Sequence, residues 1–160
     1  MKTICIPNQY KYHMQYLPTS STGSQTKINI FMVLIQIIKI DTQSITIRLF
    51  RKIEWIDHRL GLMNGSQSIY IREADQNSIW SPEIIFGSDM ILENKEEGDF
   101  FMKNSKDGNG VSLSKTLMLS TTFKCDMAFQ NFPFDKHICN VEVSMVLIFR
   151  LSVTIERNKA

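Results

Sequence analysis

Apolar and polar residues alternate along much of this chain, and the alternation predicts a protein built from β-strands. The clearest case is residues 45–55, where apolar side chains take one parity and mainly polar side chains take the other. A period of two with one apolar face is typical of a half-buried strand. The apolar parity holds Ile45, Ile47, Leu49, Ile53 and Trp55, and the other holds Thr46, Arg48, Phe50, Lys52 and Glu54.

The segments around this strand extend the pattern. Residues Ile28–Ile40 are rich in Ile and Val, too short and too β-branched for a helix, and predict a buried strand. The polar residues 41–44 that follow predict a turn. Several short strands separated by turn signals favour a β-sandwich. A further short strand is predicted at residues 69–71.

Composition and length describe an ordinary globular domain. Of the 160 residues, 43% are hydrophobic and 21% are charged, and the formal net charge is +2. These values indicate neither a nucleic-acid surface nor an acidic partner. A domain of this length buries about 70% of its unfolded surface, so one domain is expected. No apolar run approaches the roughly 20 residues that a membrane-spanning helix needs.

The N-terminal part of the chain carries little periodicity. Residues 1–26 are polar, contain Pro7 and Pro18, and predict an extended arm. Met1 is not followed by the apolar stretch of about 7 to 15 residues that a signal peptide needs. We therefore expect a partial or divergent gene product whose true ends are missing.

Two cysteines, Cys125 and Cys139, bracket a segment with an unusual apolar centre. If they are oxidised, they close a loop of about 15 residues, worth roughly 3 kcal/mol by chain entropy. The alternative is a chance pair of thiols in a reduced cytosolic protein, which spacing alone leaves open. The remaining cysteine, Cys5, has no evident partner and is interpreted as a free thiol or a feature of the terminus. The bracketed segment carries, in order, Phe132, Pro133, Phe134 and Asp135.

Three motifs with fixed spacings occur along the chain, and together they resemble those of a single family. The run from the first to the second of these cysteines reads Cys-x-Met-x-Phe-x-x-Phe-Pro-x-Asp-x-x-x-Cys. The other two motifs are Trp55-x-Asp57-x-Arg59-Leu60 and Ile79-Trp80-x-Pro82-Glu83-x-x-Phe86. In this order they resemble the Cys-loop ligand-gated ion channels, the pentameric neurotransmitter receptors, although that family usually has Asp at the position of Glu83. The resemblance covers roughly residues 27–145.

The resemblance implies an all-β fold, the immunoglobulin-like β-sandwich of the Cys-loop receptor ligand-binding domain, incomplete at its C-terminus. Residues 1–26 would be an extended arm, residues 27–145 a partial ligand-binding domain, and residues 146–160 a divergent tail. A disulfide between Cys125 and Cys139 is also implied, and residues 132–135 would act in gating. The residues implied to hold the frame are Trp55, Asp57, Arg59, Trp80 and Pro82.

The resemblance further implies a ligand site with two sides. On the complementary side, Phe50 matches an aromatic position of the family. Lys52 lies where the anion-channel branch commonly carries an Arg that meets the agonist's carboxylate, although lysine lacks the bidentate fork of arginine. The alternative for both is a solvated strand face. Ser88 and Asp89 fall in the first segment of the principal side, and Asn64 begins an Asn-x-Ser glycosylation sequon.

The implied function is that of the extracellular ligand-binding part of a neurotransmitter-gated channel subunit, of the anion (chloride) branch. Agonist would bind between subunits of a homo- or hetero-pentamer, and the Cys-loop would couple binding to the pore. The membrane, at a synaptic plasma membrane, would be reached only through segments absent from this chain, and a chain without them would be secreted. The alternatives are a cation-selective branch, a soluble acetylcholine-binding-protein-like module, and a truncated non-conducting subunit.

Enzyme and metal chemistry find little support in the sequence. The histidines, His13, His58 and His137, lie far apart and give no metal-ligand spacing with the cysteines. A nucleophile pair of Cys125 or Cys139 with His137 is conceivable, but a disulfide would consume the thiol. No phosphate-binding glycine loop is present. We therefore expect no enzyme activity, no cofactor, no metal and no nucleic-acid partner.

Overall fold

The structure is a computed structural model that describes residues 4–5, 17–18, 26–62, 68–87, 90–127, 129–130, 136–144 and 148–156. These residues form ten strands and one helical turn, which confirms the predicted all-β fold. In chain order the elements are β1 (Ile4–Cys5), β2 (Ile28–Ile40), β3 (Ser44–Asp57), β4 (Gly61–Leu62), β5 (Ile69–Tyr70), α1 (Glu73–Gln76), β6 (Ile85–Phe86), β7 (Met90–Asn104), β8 (Val111–Lys124), β9 (Lys136–Ser144) and β10 (Ile148–Glu156).

The described strands form three sheets. The largest has the strand order β2-β3-β8-β7-β5, and a smaller one has the order β10-β9-β6. In the smaller sheet β10 pairs antiparallel with β9 along its whole length, so that Val153 lies opposite Cys139. Phe86 of β6 lies opposite Val143 on the other edge of β9. The short strands β1 and β4 pair with each other.

Strand β3 has the alternating burial that its sequence predicts. From Ser44 to Asp57 every second residue is buried and those between are half-buried. Strand β8 alternates in the same way, except that Lys115 is half-buried on the buried parity and Lys124 is exposed. Arg51 is a polar residue on the buried parity of β3 and is only 7% exposed. The period of two therefore decides which side chains face the core, whatever their polarity.

The chain divides into two compact units. In the first unit, the ring of Trp55 packs edge-on against Trp80, with centroids 6.0 Å apart, and also contacts Phe100. In the second unit, Phe86 of the small sheet packs edge-on against Phe123 of the large sheet, with centroids 5.3 Å apart. Such pairs contribute beyond their buried area. The first unit is Met1–Met32, Arg51–Ser81 and Glu97–Leu117; the second is Val33–Phe50, Pro82–Glu96 and Met118–Ala160.

Strand β2 has the predicted bounds, but the prediction that it is buried is wrong. It lies at the edge of the five-stranded sheet, with a neighbouring strand on one side only. A high content of Ile and Val indicates that a segment forms a β-strand. It does not distinguish a central strand from an edge strand. The large apolar side chains that are 38–52% exposed are Phe31, Val33, Leu34, Ile35, Ile37 and Ile38.

Candidate functional site

A disulfide lies at the base of the loop that the sequence singled out. Cys125 and Cys139 are bonded, with their Cα atoms 5.6 Å apart, and both side chains are buried. Cys125 directly follows β8 of the large sheet, and Cys139 belongs to β9 of the small sheet. The bond therefore ties the two sheets of the second unit together at the point where the loop leaves them.

The entry of the same loop is held by the turn between β2 and β3. The backbone N–H of Cys125 donates to the carbonyl of Gln43 at 2.9 Å, and that of Met127 donates to the carbonyl of Thr42 at 2.8 Å. Further along, the ring of Phe129 packs edge-on against His137 at 5.4 Å. The sequence offered no signal for the pairing with the turn. The predicted gating residues Phe132, Pro133, Phe134 and Asp135 lie outside the described residues.

Asp57 and Arg59 form a buried pair at the end of β3. The Asp57 Oδ1 atom accepts from the backbone N–H and the Nε of Arg59, both at 2.9 Å, and Oδ2 accepts from Nη2 at 2.7 Å. Asp57 is 0% exposed, and the Arg59 side chain is 19% exposed. Two parallel bonds between a guanidinium and a carboxylate are stronger and more directional than a single contact. The pair is therefore not the weak surface pair that its charges alone suggest, and it fixes the turn after β3.

The turn between β7 and β8 packs against the end of β3, where Asp57 pairs with Arg59. Gly110 has φ +90°, and a Cβ there would lie 2.7 Å from the Asp57 carbonyl oxygen and 2.6 Å from the His58 Cα. The Nδ1 of His58 lies 2.9 Å from the carbonyl oxygen of Asn109. Only glycine fits this close approach of two backbones. The glycine-rich sequence predicts a turn here, while its docking against residues about 50 positions earlier is a tertiary feature.

The two predicted complementary-side residues lie on the outward parity of β3. Phe50 and Lys52 are both half-buried. The Lys52 ammonium is 2.6 Å from Glu54 Oε1 and 6.0 Å from the centre of the Phe31 ring. Glu54 and Phe31 were not assigned to the site from sequence. The signal for Glu54 was available, since it has the opposite charge and the same parity as Lys52.

Lys52 and Glu54 also line a cavity of about 260 Å³ on the outward face of the sheet. Its other polar walls include Lys103 of β7 and the hydroxyls of Ser112 and Ser114 of β8. The size is close to the lower end of typical small-ligand sites, about 300 Å³. Two cations, one carboxylate and several hydroxyls form a surface that can hold a small, charged, polar molecule.

The remaining predicted residues lie away from this cavity or outside the described residues. Trp80 is half-buried beside Trp55 in the first unit, and Pro82 is buried in the second. Ser88, Asp89 and Asn64 lie outside the described residues. Within the described ranges, no cluster of three or more His, Cys, Asp or Glu side chains is arranged to hold a metal. The part of the chain that the structure describes also has no helix of the length and apolarity needed to cross a membrane.

Comparison with known proteins agrees with this geometry. Residues 6–156 match the family described as neurotransmitter-gated ion-channel ligand binding domain, so the chain belongs to that family. The resemblance seen in the three motifs is thereby confirmed, and the matched range is wider than the motifs themselves. The family is one of receptors, not of enzymes.

One relative illustrates how the chain compares with a whole receptor subunit. The chain is similar to the gamma-aminobutyric acid receptor subunit alpha-2 of Rattus norvegicus, with 26% identity over 96 residues. The matched segment is 59% of this chain and 21% of the relative. The matched segment therefore spans about a fifth of that subunit's length.

Proposed function

We propose that this chain forms an agonist-binding face of a neurotransmitter-gated channel subunit of the anion-selective branch. The observation that carries the proposal is the position of Lys52, whose ammonium group lines an outward-facing cavity on β3. A cation in a partly enclosed site favours a ligand with a carboxylate. Phe50 is also proposed for the complementary side, because it matches an aromatic position of the family.

The chemistry of the cavity supports an agonist that carries both charges. Lys52 and Lys103 offer ammonium groups to a carboxylate, while Glu54 offers a carboxylate to an ammonium group. The hydroxyls of Ser112 and Ser114 can donate to, or accept from, either end. Gamma-aminobutyric acid, named in the relative, has this pair of groups. Ser88 and Asp89 are proposed for the principal side, supplied by a neighbouring subunit.

Coupling to a pore is proposed to run through the Cys-loop, whose base is held within the second unit. The disulfide joins the end of β8 to β9, and two backbone hydrogen bonds join the loop entry to the β2–β3 turn. Displacement of that turn or of the end of β8 would therefore move the base of the loop. We place the chain on the extracellular side of the plasma membrane, where its loop, through residues 132–135, would contact the pore-forming part of a complete subunit.

The proposal is tested by calorimetric titration of the purified 160-residue chain with gamma-aminobutyric acid and with butylamine, which lacks the carboxylate. We expect Lys52→Gln to weaken binding of the acid about tenfold, the effect of losing one charge-assisted hydrogen bond. Lys52→Arg should retain it. Lys95→Gln is the matched control, because Lys95 pairs with Glu93 two residues away, as Lys52 does with Glu54. Equal binding of acid and amine, or equal loss in both glutamine variants, contradicts the proposal.

A further inference from the structure

A second cavity, of about 390 Å³, opens in the first unit beside helix α1. It shares no residue with the cavity at Lys52. The two lie on opposite parities of β8, since Ser112 and Ser114 line the first and Lys115 lines the second. Successive side chains of a strand point to opposite faces of its sheet. The second cavity is therefore a separate site, and its volume is within the range of small-ligand pockets, about 300 to 1,000 Å³.

Lys115 is a charged residue at a position of β8 where its neighbours on the same face are buried and apolar. It occupies the core-facing parity of β8, between the buried side chains of Leu113 and Leu117. Its ammonium lies 5.6 Å from the centre of the buried Phe100 ring. None of the ion pairs among the described residues includes Lys115. A half-buried ammonium loses hydration, and a bound carboxylate would restore that lost interaction.

Glu73 brings the opposite charge to the same cavity. It is the first residue of α1, and its neighbour Arg72 pairs with Asp75 instead, at 3.0 Å. Glu73 and Lys115 therefore line one cavity without pairing with each other. The indole of Trp80 forms an aromatic wall between polar groups. The rest of the lining is the apolar Ile79 and the neutral hydrogen-bonding residues Gln76, Asn77 and Ser81.

We propose that this cavity is a second ligand site that binds a free amino acid with an apolar side chain. The carboxylate of the ligand pairs with Lys115, its ammonium group pairs with Glu73, and its apolar part packs on Trp80. One cation, one anion and one aromatic wall match the three parts of such a zwitterion. The site does not depend on the agonist function proposed for the outward face of β3.

The test is a calorimetric titration of the purified full chain with three probes of similar shape. L-phenylalanine carries both charges, 2-phenylethylamine lacks the carboxylate, and 3-phenylpropanoate lacks the ammonium group. We expect L-phenylalanine to bind at least tenfold more tightly than either single-charge probe, because each ion pair contributes to its affinity. Lys115→Met should reduce its affinity at least tenfold, while keeping an unbranched apolar stem against Phe100.

The variants separate this site from the agonist site. Glu73→Gln should lower the affinity for L-phenylalanine to that for 3-phenylpropanoate. Because Glu73 is exposed, this variant tests the site even if Lys115→Met does not fold. Lys52→Gln should leave L-phenylalanine binding unchanged. No measurable binding of L-phenylalanine, equal affinity for all three probes, or an unchanged affinity in Glu73→Gln overturns the proposal. Loss of binding in Lys52→Gln alone assigns the ligand to the other cavity and also overturns it.

Discussion

At the scale of single residues, the pairing of Asp57 with Arg59 gives the sharpest expectation. Asp57→Asn removes the charge that compensates a largely buried guanidinium. We expect the free energy of unfolding in urea to fall by about 3 kcal/mol, as when one partner of a buried ion pair is lost. Asp75→Asn is the control, because Asp75 pairs with Arg72 at the surface, where the side chains are 42% and 77% exposed. That change should cost less than about 1 kcal/mol, and similar losses in the two variants would show that burial is not the cause.

Glu54 sets a second expectation at this scale. Its carboxylate forms an ion pair with the Lys52 ammonium at 2.6 Å, so the carboxylate of a ligand has to compete with Glu54 for Lys52. We expect Glu54→Gln to tighten binding of butyrate, which has a carboxylate and no ammonium group, by roughly two- to fivefold, since partly exposed pairs are worth about 0.2 to 1 kcal/mol.

Calorimetry on the purified chain measures this change. Glu93→Gln, which releases Lys95 in the same way away from the cavity, should have no effect on binding. An unchanged or weaker affinity in Glu54→Gln would mean that Lys52 is not the group that meets the ligand.

At the scale of elements, two glycines in the β7–β8 turn allow the cost of backbone strain to be measured apart from the cost of a steric clash. Both have positive φ, +71° at Gly108 and +90° at Gly110, but only Gly110 has backbone atoms close to the position of a Cβ. We expect Gly108→Ala to cost about 1 kcal/mol, the strain of a left-handed conformation. Gly110→Ala should cost several times more, since the backbone of Asp57 and His58 has to move.

Thermal unfolding of the two alanine variants checks this difference. A domain of this size shifts its melting temperature by about 2 to 4 °C per kcal/mol. Equal shifts in the two variants would indicate that the turn does not dock against the end of β3.

At the scale of the whole molecule, the disulfide is the main covalent constraint on the fold. It closes a loop with a sequence separation of 14 residues, and its loss should cost about 3 kcal/mol by the chain-entropy argument. The double variant Cys125→Ser, Cys139→Ser should show this loss in urea unfolding, and a reductant should have the same effect on the natural chain. Cys5→Ser serves as the control and should match the natural chain. A double variant as stable as the natural chain would contradict a structural role for the bond.

Part of the fold could be predicted from the local pattern of apolar and polar residues. The bounds of β2 follow from its Ile and Val content and the turn residues after it, and the burial of β3 follows from its parity. These are properties of neighbouring residues, because the two-residue period of a strand orients every side chain relative to the next. Three motifs at fixed spacings were enough to indicate the family to which the chain belongs.

The sequence by itself thus determined the all-β class, the bounds of β2, the alternating faces of β3 and the family. Only the tertiary structure decided that β2 is an exposed edge and that Lys115 shares a cavity with Glu73. Both depend on the positions of residues distant along the chain, which no local period encodes. Strand order and the lining of a cavity are settled only when such distant segments pack side by side.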